Sequence, residues 1–261
     1  MRIKLHNEFS QRLITSLILI SLLIVLLYIG NIGIYIMTTV LCFLSFFEIN
    51  KLRKCQLKLQ YFIPFVLFFY FFIKESGILN LGDQYLLLIF YALSSLLIII
   101  SLFQKTNIHF SIVGFLLNST FFSIIYIVSS HHLQYKLIFI IISIISLCDI
   151  FSYIIGKNFG KYKIFPKISP NKTIEGYLGG TFLTLFLFTL IFSYYNLKDL
   201  NLFLYLVLII ISSFIGDLYI SFFKRKLKIK DSGKIFPGHG GVLDRIDSWF
   251  FTFPLSFLIL I

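Results

Sequence analysis

The chain has 261 residues, 58% of them hydrophobic and 13% charged, with a formal net charge of +12. That hydrophobicity excludes a soluble globular domain, and no nucleic-acid-binding motif accompanies the basic charge. Three cysteines with no CxxC spacing exclude a disulfide scaffold and read as reduced, structural thiols.

Apolar runs long enough to cross a hydrocarbon layer of ~30 Å as helices recur along the whole chain. The predicted spans are Leu13–Ile29, Ile32–Phe47, Tyr61–Ile73, Tyr85–Phe103, Phe110–Val128, Leu137–Ile155, Tyr177–Tyr195, Leu200–Phe223 and Trp249–Ile261. Arg2, Lys4 and Arg12 precede the first span. Its apolar stretch is too long for a signal-peptide core and lacks a small-residue cleavage site, so a retained helix is expected. The third span is short and contains Pro64, and Glu48 lies near the end of the second. The expected fold is an all-α, polytopic integral membrane protein with about nine transmembrane helices. It forms one membrane domain over 1–261, with weakly diagnostic helices in 1–136 and the chemistry-bearing helices and loops in 137–261.

With the N-terminus cytoplasmic, 20 of the 23 Lys and Arg residues fall on the cytoplasmic side, leaving Lys74, Lys136 and Lys198 outside. Much of the net charge is then a property of one membrane face, where it also attracts anionic headgroups.

Two carboxylates are not explained by topology. Asp149 lies within the sixth span and Asp217 within the eighth. A carboxylate inside a membrane helix costs about 3 kcal/mol, so it faces a partner or a water-filled cavity. A structural pair with a nearby Lys is one reading. A site near the cytoplasmic loops is the other. Asp217, Ser221, Lys224 and Arg225 stand at i, i+4, i+7 and i+8, so a helix continuing past the membrane edge places them on one face.

The loop over Gly156–Gly180 follows the sixth span. Its Ser169–Pro170 pair resembles a helix N-cap with proline in the first turn, which would put Lys172 at the positive end of a helix dipole. A bound anion would relieve that conflict. Close helix packing is the favoured reading of Gly176, Gly179 and Gly180.

The densest polar block is Ser221–Ser248, SFFKRKLKIKDSGKIFPGHGGVLDRIDS, set between two apolar stretches. Its cations, convergent carboxylates and flexible backbone suit a phosphate-rich, metal-bound ligand. Asp244 and Asp247, at i and i+3, can face the same way before the last span, where helix capping is the competing reading. The glycines around His239 can present backbone N–H groups to an anion.

This block resembles the signature of phosphatidate cytidylyltransferases (CDP-diacylglycerol synthases). The matching elements are Ser221, Lys224-Arg225, Lys230-Asp231, Gly233, Pro237, His239-Gly240-Gly241, and Asp244-Arg245 with Asp247. The preceding Gly216-Asp217 and the segment SPNKTIEGYLGG, through Ser169, Pro170, Lys172, Thr173, Glu175, Gly176, Gly179 and Gly180, also agree. Around Asp149 the family commonly has Asp-x-Gly-Ala-Tyr, whereas Phe151 stands here in place of the glycine.

The resemblance implies transfer of CMP from CTP to phosphatidic acid in the membrane. It implies Mg2+ on Asp217 and Asp244, with Asp247 in or beside the ligand sphere, and leaves room for a second cation such as K+. Lys224, Arg225, Lys230 and Arg245 would neutralise substrate charge, Lys172 would reach in from the other loop, and His239 would orient phosphate. Ser169, Thr173, Ser221, Asp231, Gly240 and Gly241 are expected to contact substrate, with Asp149 in support. The enzyme would lie in the cytoplasmic (inner) membrane with its site facing the cytoplasm. A homodimer is compatible with the sequence, which leaves the oligomeric state open. A CTP-dependent lipid kinase of the dolichol-kinase kind, and a transporter or anionic-lipid-binding protein, are the competing readings.

Overall fold

A computed structural model describes residues 15, 17, 18, 21, 22, 24–26, 28–53, 92, 108–130, 134–196, 200–236 and 240–260. Six named helices run through them: α1 (Asn31–Arg53), α2 (Ile108–Ser130), α3 (Gln134–Phe159), α4 (Ile174–Tyr194), α5 (Leu200–Lys226) and α6 (Trp249–Leu260). α1 to α5 are each long and apolar enough to cross a membrane. A helix satisfies its backbone polar groups internally, which is what an apolar surrounding demands of such sequences. These five coincide with predicted spans, and the last predicted span is the 12-residue α6, with Pro254 inside it. In Leu13–Ile29 the described positions are helical. The predicted spans Tyr61–Ile73 and Tyr85–Phe103 lie outside the described residues, apart from helical Ala92.

α2 forms the centre of the bundle. Of its most apolar window 78% is buried, against 22% for α4, so α4 is a peripheral helix. α2 packs against α1, α3 and α6, and α5 packs against α6. Phe46, Leu117, Phe121, Ile124, Phe250 and Phe253 are fully buried in this core. Edge-to-face ring pairs fasten it, including Phe110 with Phe223 and Tyr126 with Phe257. Buried hydroxyls such as Thr38, Ser123 and Ser256 donate to the carbonyl four residues earlier and so carry no unsatisfied proton into the core.

The helices place their ends consistently. Tyr35 and Ser129, 2.8 Å apart, join α1 to α2 at one end. At the other end Lys226 meets His109 at 2.7 Å, and Arg225 donates to the Ile168 carbonyl. Both loops rich in basic residues therefore gather at the end of the bundle where α1 finishes and α2 begins.

The departure from the all-α expectation is a short hairpin. β1 (Lys163–Phe165) pairs antiparallel with β2 (Ser169–Thr173), with Lys163 opposite Thr173. The expected helix start at Ser169–Pro170 is thus corrected. A proline is acceptable in a two-stranded ribbon whose edges are free, and Ser169–Thr173 runs extended. Thr173 is the true N-cap, extended at φ −116° and ψ 152°, and its hydroxyl accepts from Gly176 N at 3.2 Å. Lys172 precedes the helix, so the dipole conflict expected for it does not arise. Glu175 closes the hairpin by accepting from the N–H groups of Lys161 and Tyr162.

α3 and α4 lie against each other through their glycines, as expected. A Cβ on Gly176 would stand 2.7 Å from the Ser152 carbonyl oxygen, and one on Gly180 would overlap Ser152 Oγ. This contact holds the hairpin over α5 and opens the cavity described next.

Candidate active site

α3, the hairpin, α4 and α5 enclose a cavity of about 620 Å³. Its walls include Asp149, Ser152 and Lys157 from α3, Lys163 from β1, Ser169, Lys172 and Thr173 from β2, and Phe214 and Asp217 from α5. A volume in the usual range for ligand pockets, lined by cations, hydroxyls and carboxylates, suits a polyphosphate with an organic body. Sequence reasoning identified Asp149, Lys172, Ser169, Thr173 and Asp217. It passed over Lys157, Lys163, Phe214 and Tyr177, because each looked like loop charge or ordinary apolar lining.

Within the cavity the Lys172 ammonium pairs with Asp217 Oδ2. The same ammonium lies 5.1 Å above the Phe214 ring, which packs against Tyr177 at 3.9 Å between centroids. Ser221 donates to the other Asp217 oxygen at 3.2 Å. The structural reading of Asp217, a pair with a nearby Lys, therefore holds here, and the pair itself lines the cavity.

One helical turn further on, Lys224 donates to Asp244 Oδ1 at 2.7 Å, with both side chains nearly closed to solvent. Asp217, Ser221 and Lys224 thus share the α5 stripe expected from their spacing and join the two loops along it. Arg225 lies at the same end but turns outward. Its Nε donates to Ile168 O at 3.2 Å and its Nη1 to Ile229 O at 3.0 Å. α5 stops just there in a Schellman turn: Lys228 adopts φ 57°, Lys228 N donates to Arg225 O and Ile229 N to Lys224 O.

The signature loop folds around Asp244. Its Oδ2 accepts from Ser232 N at 2.8 Å, Gly241 N at 2.9 Å and Ser232 Oγ at 3.1 Å. Phe236 N donates to Gly240 O at 2.9 Å, and Gly240 takes φ +83°, the left-handed region that favours glycine. Burial works against the Asp244 charge, but the Lys224 ammonium and the N–H groups of Gly241 and Ser232 outweigh it and hold the carboxyl below the usual range. Asp247 is the opposite case. Removal from water, reinforced by the neighbouring Asp217 charge, pushes its carboxyl well above the usual range, against the pull of Lys224. Its Oδ1 accepts from Ser248 N at 2.9 Å.

Lys230, Asp231 and Arg245 are exposed beside this loop. Arg245 acts electrostatically on Asp149 across the site. Pro237 and His239 lie outside the described residues. Glu48, from the distant α1, is 2% exposed and reaches the loop, where it accepts from Val242 N, Leu243 N and Ser232 Oγ. Its signal in the sequence was a single acid near the end of an apolar span, with no local pattern to give it a partner.

Hard carboxylate oxygens crowded beside cations are the donor chemistry that a magnesium ion takes. Asp247, held above its ordinary range next to Asp217, fits such an ion, because a divalent cation would remove that penalty. As the side chains stand, ammonium groups of Lys172 and Lys224 neutralise Asp217 and Asp244. Among the described residues no group of three or more His, Cys, Asp or Glu side chains forms a ready metal cage.

Residues 10–261 match the model of the cytidylyltransferase family. A protein of Bacillus subtilis (strain 168) named phosphatidate cytidylyltransferase is 30% identical over 269 residues, covering 97% of this chain and 98% of its own length. A protein of the same name from Staphylococcus aureus (strain COL) is 48% identical over 121 residues; that match spans 45% of this chain and about half, 46%, of the relative. One from Staphylococcus saprophyticus is 40% identical over 182 residues, 65% of this chain and 67% of the relative.

Proposed function

Since this chain belongs to the cytidylyltransferase family, we propose that it is a phosphatidate cytidylyltransferase, making CDP-diacylglycerol and pyrophosphate from CTP and phosphatidic acid for phospholipid synthesis. The observation that carries the reading is the cavity lined by Lys157, Lys163, Lys172, Asp149 and Asp217, two turns of α5 from the Lys224–Asp244 pair that fixes the signature loop.

A phosphate oxygen of phosphatidate attacks the α-phosphorus of CTP. The bond from that phosphorus to the oxygen bridging it to the β-phosphorus breaks, and pyrophosphate leaves with the electron pair. No proton has to be removed from the nucleophile, so the protein's task is alignment and charge neutralisation. Lys172 and the exposed lysines of the hairpin bind phosphate oxygens, while Lys224 stays on Asp244 and keeps the loop in register. Mg2+, with Asp217, Asp247 and Asp244 as its holders, supplies neutralisation of the triphosphate when bound. A second cation such as K+ is left to the same carboxylate group. His239 orients phosphate in this reading, and Arg245 and Lys230 serve the rim.

The same reading places the enzyme in the cytoplasmic membrane with about nine spans, N-terminus inside and the site toward the cytoplasm, from the predominance of basic residues in the loops on that side.

The test is product analysis with the purified protein in phosphatidate vesicles supplied with CTP and Mg2+. Pyrophosphate and CDP-diacylglycerol in equal amounts are expected. Release of CDP with a phosphorylated lipid would make the protein a lipid kinase, and no nucleotide turnover would leave it a binding or transport protein.

A further inference from the structure

The glycines of the signature loop are shaped around one carboxylate that belongs to neither loop. A Cβ on Gly233 would overlap Glu48 Oε1, and one on Gly241 would overlap the Glu48 carboxylate and Ser232 Oγ. Glu48 is held in place on all sides: Oε1 accepts from Val242 N at 2.9 Å, and Oε2 from Leu243 N and Ser232 Oγ, each at 3.0 Å. The same Ser232 hydroxyl lies 3.1 Å from Asp244 Oδ2. With one proton, the Ser232 hydroxyl donates to Glu48 or to Asp244 at any moment, while Ser232 N donates to Asp244 Oδ2 at 2.8 Å, so Ser232 stands between the two carboxylates and Asp244 continues to Lys224 on α5.

We infer that Glu48 is a positioning residue for the reaction. It clasps the backbone of Val242 and Leu243 and, through Ser232, sets the orientation of the Asp244 carboxylate. The inference rests on the reading of the site as a cytidylyltransferase centre. Two features separate a clasp from an ordinary buried acid. A buried carboxylate needs only enough donors to offset its desolvation, whereas these donors are two successive backbone N–H groups two residues and one residue ahead of Asp244, and the side chain next to Asp244. Moreover, the loop has no side chain at either position where one would displace Glu48.

Glu48→Gln tests this, because an amide keeps the shape but must turn an NH2 group toward a backbone donor whichever way it flips. Ser232→Ala is the milder variant, leaving Glu48 on its two N–H groups and Asp244 on Ser232 N, Gly241 N and Lys224, and removing only the hydroxyl between the two carboxylates. In the full-length protein in phosphatidate vesicles, both should lower kcat, Glu48→Gln by about 10–100-fold, with KM for phosphatidate unchanged. Gly233→Ala should lose activity in the wild-type background and lose little more when Glu48→Ala is already present. Wild-type kcat per folded molecule in both Glu48→Gln and Ser232→Ala, or an undiminished Gly233→Ala loss in the double variant, overturns the inference. If the wild-type protein itself makes no CDP-diacylglycerol, the functional reading fails separately. The clasp is then judged by amide exchange at Val242 and Leu243, which must quicken in Glu48→Gln and which overturns it if unchanged.

Discussion

Lys224 Nζ lies 2.7 Å from Asp244 Oδ1, with the two side chains 11% and 6% exposed. One partner is the last polar residue on the inner stripe of α5, and the other is the hub of the loop that leads into α6. The pair therefore decides where the signature loop sits relative to Asp217, seven residues back along the same helix.

Removing one partner of such a pair strands the other in a site with little water. Lys224→Met is expected to destabilise the protein by about 3 kcal/mol, read as a fall in the thermal midpoint of the detergent-solubilised protein. The double variant Lys224→Met with Asp244→Asn should recover much of that stability. It should not recover pyrophosphate release, because the Asp244 carboxylate, one of the proposed Mg2+ holders, is still missing. Recovery of both would reduce the pair to a structural element.

The two loop carboxylates respond to pH in opposite senses. Asp244 has a folded value below its unfolded one, so the stability it contributes is present above the ordinary carboxylate range and lost as pH falls through the lowered value. Asp247 has a folded value well above its unfolded one, so its contribution is present below the ordinary range and lost as pH rises through the raised value. In metal-free buffer, Asp247→Asn should therefore melt higher than wild type at pH values above that raised range and converge with it in acid. Adding Mg2+ should stabilise the wild type more than the variant. A variant no more stable than wild type at any pH would contradict the assignment of an unrelieved charge at Asp247.

The long helices were legible because a membrane span needs only length and uniform hydropathy, and α2, α3 and α5 have both. The stripe of Asp217, Ser221 and Lys224 was legible because helical spacing alone dictates it. The hairpin was not. Lys163–Phe165 and Ser169–Thr173 are too short to show alternation, and Ser-Pro imitates a helix start equally well. Glu48 was not legible either, since its partners Ser232, Val242 and Leu243 stand 184 to 195 residues away in sequence. The outward turn of Arg225 depends on how α5 ends, at the left-handed Lys228, a residue with no local signal for that conformation.

Thr173 and Lys172 are neighbours with separable roles. Thr173→Ala removes the N-cap of α4 and should cost about 1 kcal/mol of stability with modest loss of turnover. Lys172→Met leaves the cap but removes the ammonium that faces Asp217 and the cavity. It should lower kcat/KM for CTP by at least about 100-fold, the equivalent of roughly 2.7 kcal/mol of transition-state stabilisation. Steady-state kinetics and thermal melts on both variants check the division. Equal kinetic losses would mean that the hairpin's position, and not the Lys172 charge, governs the reaction.

Arg225 belongs to the same signature as Lys224, yet its guanidinium is spent on two backbone carbonyls, Ile168 O in the turn between β1 and β2 and Ile229 O beyond the end of α5. It therefore ties the two loops together at the rim. Arg225→Lys keeps the charge but loses the planar fork that can serve two acceptors at once. If Arg225 acts by holding the hairpin over the cavity, this variant should raise KM for CTP several-fold and leave kcat within about 2-fold, the pattern of lost ground-state binding. The Lys224→Arg variant should do the reverse, because the bulkier guanidinium cannot sit on Asp244 in the space of an ammonium, and kcat should fall with little change in KM. An Arg225→Lys variant whose kcat collapses at unchanged KM would instead put the guanidinium on the reacting phosphates during turnover, and would require Arg225 to leave both carbonyls when CTP binds.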